Sequence, residues 1–167
     1  MLAQYQVTTR FAEFQLGSSG IGRTRWSPPQ IGFVKINFDG AVFDSSHSSG
    51  VGAVIWNHNG AVMASCAVKL NRVYRAEEIE ALATLKALQF ASEQGVQKAI
   101  LEGDLLGLIK ALESEDHNLS PWGLLVEDVK LVANSFVSLL YSHIKRNGNS
   151  VAHNLAKHAI RIPDFEV

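Results

Sequence analysis

The chain has 167 residues and a formal net charge of −1, with 47% hydrophobic and 19% charged residues. That length can bury one sizeable core without staples, and the charge balance excludes a broad basic domain held to nucleic acid by bulk charge alone, though not a local basic groove. The lone Cys66 excludes a disulfide framework and a multi-cysteine zinc site, and no apolar run approaches the ~20 residues that span a bilayer.

Residues 1–30 differ in texture from the rest of the chain. Leu16 to Gly22 is a Gly/Ser stretch and Trp26-Ser-Pro-Pro29 is a rigid turn, so this segment is predicted to be a flexible tail and linker. It has no charged start followed by an apolar core, so no secretion signal is expected and the protein should be intracellular, in nucleus or cytoplasm. One domain is predicted over 31–162, with a short tail at 163–167.

From Phe33 onward Val34, Ile36 and Phe38 alternate with Lys35, Asn37 and Asp39, the period of a strand that Asp39 ends on its polar side. Val51 to Trp56 and Ala61 to Leu70 read as two further strands, and Asn57-His-Asn-Gly60 between them is a hairpin signal, because Asn and Gly tolerate positive φ. The period then changes. Ile79, Leu82, Leu85, Leu88 and Ala91 fall mostly three apart on one helical face, with Gly95 as the stop. Ala99 to Leu101 is a short buried strand with Asp104 just past it, and Leu105 to Leu112 a short helix. Ser120-Pro121 opens a helix reaching about Asn134, Phe136 to Ile144 is another strand, and Asn149 caps a last helix. The order β-β-β-α-β-α-α-β-α predicts an α/β mixed sheet flanked by helices.

Three carboxylates stand at strand ends or helix starts, where ligands bind in such sheets: Asp39, Glu78 and Asp104. Clustered carboxylates need a neutralising cation, and hard oxygen ligands suit Mg²⁺ or Mn²⁺. The bland reading stands beside this one: Asp39 as a turn former, Glu78 as a partner of the helix dipole, Asp104 as a helix cap. Glu77 and Glu80, at one and two residues from Glu78, are assigned to the solvated helix surface.

Five blocks in order bring a resemblance. They are Lys35-Ile-Asn-Phe-Asp-Gly-Ala41, Gly50-Val-Gly-Ala-Val-Ile-Trp56, Ala76-Glu-Glu-Ile-Glu-Ala-Leu82, Ile100-Leu-Glu-Gly-Asp104 and Arg146-Asn-Gly-Asn-Ser-Val-Ala-His-Asn-Leu-Ala156. Together they resemble the ribonuclease H domain of plant non-LTR retroelement polyproteins and related plant proteins, over roughly residues 26–160. The resemblance implies a ribonuclease H-like fold, a five-stranded mixed sheet with the first three strands antiparallel. It implies cleavage of the RNA strand of RNA–DNA hybrids with two ions of Mg²⁺ or Mn²⁺. It places Asp39, Glu78, Asp104 and His153 as catalytic metal ligands, and Gly40, Ala41, Arg146 and Asn149 at the nucleic acid. A retroelement origin would make the domain one piece of a larger polyprotein; a monomer is expected, and with no apolar span no membrane partner is expected.

His153 stands where that family's fourth acid is expected, and Gly103 where a Ser is common. An imidazole brings no negative charge, so weaker ion occupancy, a preference for Mn²⁺ or a proton-transfer role is expected. Two other readings stay open: a fold that keeps its nucleic-acid or protein partner without cutting, and an integrase-like relative, against which the last motif argues.

Overall fold

The computed structural model describes residues 25–163. The Gly/Ser stretch, with the rest of 1–24, and the tail residues 164–167 lie outside the described residues. The strands are β1 (Val34–Phe43), β2 (Ser48–Trp56), β3 (Val62–Leu70), β4 (Lys98–Gly103) and β5 (Ser138–His143). The helices are α1 (Ala76–Glu93), α2 (Leu106–Glu113), α3 (Pro121–Ala133) and α4 (Ser150–His158). The element order is the one the sequence predicts. The first strand runs on past Asp39 to Phe43, because β2 pairs with it from Lys35, opposite Trp56, to Phe43, opposite Ser48.

The strands form one sheet in the order β3-β2-β1-β4-β5, antiparallel through β1, β2 and β3 and parallel from β1 to β4 to β5. The expected hairpin closes β2 onto β3. Asn57 Oδ1 accepts from the Asn59 and Ala61 amides, and Gly60 takes a φ of 76° that a side chain would oppose.

Both faces of the sheet are covered. On one, Ile36, Phe38 and Leu101 meet Ile79, Leu88 and Phe90, with Val129 of α3 behind them, all at most 1% exposed. Each such side chain contributes roughly 1.5–3 kcal/mol of burial. On the other face α4 lies directly on β2, where a Cβ at Gly50 or Gly52 would overlap the backbone of Ala156 and Ala152. Lys35, Asn37 and Asp39 are therefore buried as well. Their alternation with apolar residues marks two chemically different covered faces, one of them polar, and not a solvent side.

Among the described residues no helix is long and apolar enough to cross a membrane.

Candidate metal centre

Asp39 lies on β1 opposite Gly52, and its side chain is fully buried. Asp104 follows the last residue of β4, the strand parallel to β1. The parallel register pairs Asn37 with Glu102, so the residues two further on, Asp39 and Asp104, come side by side. The third member is Glu80. One carboxylate oxygen from each of Asp39, Glu80 and Asp104 can be chosen so that all lie within 4.8 Å of one another.

Glu78, the predicted third ligand, is not part of this group. Its carboxylate turns back along α1 and accepts from the Arg75 amide at 3.2 Å, the reach of an N3 side chain to its N-cap. Two residues apart on a helix is about 200° of rotation, so Glu78 and Glu80 cannot share a face. Glu80 is buried, and the predicted solvated surface is kept only by the exposed Glu77. The signal for Glu80 lay in its phase with Thr84, Ala87 and Ala91, four, seven and eleven residues on, all buried. Gly40 lets that face come close, since a Cβ there would press on Ile79 at 3.0 Å, and the Gly40 amide donates to Glu80 Oε1 at 3.4 Å.

Within this cluster Asp39 Oδ1 and Glu80 Oε2 are buried with no hydrogen-bond partner. Burial first, and then the charge of Asp39, push the Glu80 carboxyl up to about 9. The donor set is all carboxylate oxygen, partly orphaned and closely spaced. That chemistry fits a hard divalent cation, whose arrival would displace the Glu80 proton.

His153, expected as a ligand, has its Nδ1 2.5 Å from Asp39 Oδ2, while the convergent group found among the described residues is Asp39, Glu80 and Asp104. An ionised Asp39 can only accept, so this contact needs a proton on Nδ1. Arg146 Nε sits 3.1 Å from Asp104 Oδ2, its side chain 63% exposed. Arg75, Glu77, Glu80, Asp104 and Arg146 line an open groove of about 510 Å³.

Two smaller expectations change. The Gly40 amide is engaged by Glu80, and with Ala41 it lies half-buried inside the pairing with β2. Asn149 occupies the N-cap of α4, but its side chain makes no cap bond. It spans to Asn37 and to the Phe38 carbonyl. Gly103 is dictated by packing, because a Cβ would run into the Phe38 ring. Cys66 is buried, as its place in a strand predicts.

A family model described as "Reverse transcriptase-like" matches residues 37–159. No curated protein matches. Among solved structures, RNase H1 from Halobacterium salinarum is 24% identical, covers 78% of this chain and 98% of its own, and superposes with a TM-score of 0.71. The N-terminal RNase H domain of a Mycobacterium tuberculosis protein is 23% identical with a TM-score of 0.69, covering 77% of this chain and 94% of its own. LC11-RNase H1, solved with an RNA/DNA hybrid, is 17% identical with a TM-score of 0.68, covering 77% and 96%. These likenesses establish the RNase H-like fold.

Proposed function

Because the chain belongs to the reverse transcriptase-like family, we propose that it is a metal-dependent endonuclease cutting the RNA strand of RNA–DNA hybrids. The observation that carries this reading is the convergence of Asp39, Glu80 and Asp104, with two of their oxygens buried and unpartnered. Those three residues would hold Mg²⁺ or Mn²⁺. Bound there, a divalent cation supplies the charge that lets a water lose its proton near neutrality and that stabilises a leaving oxygen.

The chain's own groups do the rest. His153 fixes Asp39 through Oδ2 and so aims Oδ1 at the cation position. In its neutral form, with the proton on Nδ1, His153 would offer Nε2 as a base. Arg146 pairs with Asp104 and, being mostly exposed, can exchange that contact for a phosphate oxygen of the nucleic acid. Three carboxylates make one strong cation position, so a second ion would draw its remaining oxygens from the substrate.

One observation favours a second reading. With His153 on Asp39, the fourth position adds no negative charge, which suits a module that binds nucleic acid without cutting. Cleavage of a labelled RNA–DNA hybrid, with Mg²⁺ and then Mn²⁺ and with Asp39→Asn as control, separates the two. Cutting that the substitution abolishes supports the enzyme. Hybrid binding by folded protein without cutting supports the module.

A further inference from the structure

Asn37, Asn149, Lys35 and Glu102 are buried polar side chains on the α4 side of the sheet, and the proposed chemistry uses none of them. Their hydrogen bonds run in one direction. The Trp26 indole can only donate, and its Nε1–H does so to Asn37 Oδ1 at 3.0 Å. The Asn37 amide therefore turns its Nδ2 inward, to Glu102 Oε1 at 3.1 Å and Asn149 Oδ1 at 3.2 Å. With its oxygen so engaged, Asn149 presents Nδ2 to the Phe38 carbonyl at 2.8 Å. Phe38 precedes Asp39, and Asn149 begins α4, where its own carbonyl accepts the His153 amide at 3.0 Å.

The outer end of this chain of bonds is anchored too. Lys35 Nζ lies 3.2 Å from Glu102 Oε2, donates to the Ser27 carbonyl at 2.6 Å and stands 5.4 Å from the centre of the Trp26 ring. Trp26 leans on Trp56 with ring centres 4.9 Å apart, and the Ser142 hydroxyl donates to Glu102 Oε2 at 2.9 Å. A buried ion pair adds little net stability, but it tolerates no loosening. Residues 26 and 27, which composition assigns to a linker, are thus tied to the domain.

Resting on the reading of Asp39 as a cation ligand, we propose that Trp26, Asn37 and Asn149 are positioning residues of the metal centre. The donor-only indole at one end, with the acceptor-only Glu102 carboxylate and Phe38 carbonyl, sets the polarity of a buried amide relay, and the relay pins the start of α4 to the backbone beside Asp39. That placement brings His153 Nδ1 onto Asp39. Outer-shell groups of this kind tune ligands they do not share with the metal.

The test uses the full chain with and without Mn²⁺ as the probe. The short Nδ1–H···Oδ2 contact should give a far-downfield proton signal in the metal-free protein, which reads the placement of His153 directly. Trp26→Phe keeps the ring on Lys35 and Trp56 but deletes the N–H. Asn149→Asp keeps the shape but deletes the donor to Phe38. Both should shift or erase the signal and weaken Mn²⁺ binding about tenfold. Val129→Ala, in the core on the opposite face, lowers stability and should leave both readouts unchanged. Wild-type signal and Mn²⁺ affinity in Trp26→Phe would overturn the proposal. So would losses in Val129→Ala matching those in Trp26→Phe, or a folded wild type with no such signal. If Asn149→Asp does not fold, Trp26→Phe decides alone. If the wild type shows the signal but binds no Mn²⁺, the cation reading fails and the proton signal still decides the positioning.

Discussion

Glu78 and Glu80 stand two residues apart on one helix and do opposite work. Glu78 turns out to accept the Arg75 amide at the helix start, while Glu80 turns in toward Asp39 and Asp104. Substitution should separate them. Glu80→Gln is expected to weaken Mn²⁺ binding by at least about tenfold, as loss of a ligand demands. Glu78→Gln should leave Mn²⁺ binding within about twofold and cost about 0.5–1 kcal/mol of stability through the weakened cap. Mn²⁺ titration followed by electron paramagnetic resonance, with denaturant melts alongside, reads both.

The raised Glu80 carboxyl has a pH consequence with a definite sign. Folding lifts it from its ordinary value of 4.5 to about 9, through burial and then Asp39. Between those values the folded state holds a proton that the unfolded state has released, so stability falls as pH rises. Metal-free protein should therefore resist urea better at pH 5.5 than at pH 8.5. Glu80→Gln should flatten that slope, and added Mn²⁺ should raise the midpoint most at the alkaline end.

His153 is replaceable in two instructive ways. His153→Ala strips the partner from Asp39 Oδ2 and should cost about 1–3 kcal/mol, the penalty for an unsatisfied buried acceptor. His153→Asp adds a carboxylate next to three others. It should destabilise the metal-free protein and increase the stabilisation gained from Mg²⁺. Thermal melts with EDTA and with Mg²⁺ distinguish the pair.

Cys66 offers a check on the core. Burial pushes its thiol up to about 12. Native protein should leave a disulfide-exchange reagent unreacted at pH 8, and unfolding in urea should release one thiol per chain.

Much of the fold was legible because the chain signals it locally. The alternation of Val34 to Asp39, the Asn57–Gly60 turn and the Ser120-Pro121 start are all realised. Asp39 and Asp104 were legible as acids at the ends of strand patterns. Glu80 was not, because Glu78 fits the motif and a residue two further along the helix faces elsewhere. The buried side of α1 mixes the small Ala83, Thr84 and Ala87 with Ile79, Leu88 and Phe90. Lys35 stands on the polar side of an alternating pattern, and nothing in the local sequence marks Glu102 as buried. They are buried because α4 and Trp26 cover the second face, a tertiary event that no local period announces.

The most direct measurement is cleavage of a labelled RNA–DNA hybrid in Mn²⁺ by the wild type, Glu80→Gln and Glu78→Gln side by side. Cutting by the wild type and Glu78→Gln, lost by about 100-fold or more in Glu80→Gln, is expected if Asp39, Glu80 and Asp104 form the working centre. Equal cutting by all three proteins, or loss confined to Glu78→Gln, would contradict it.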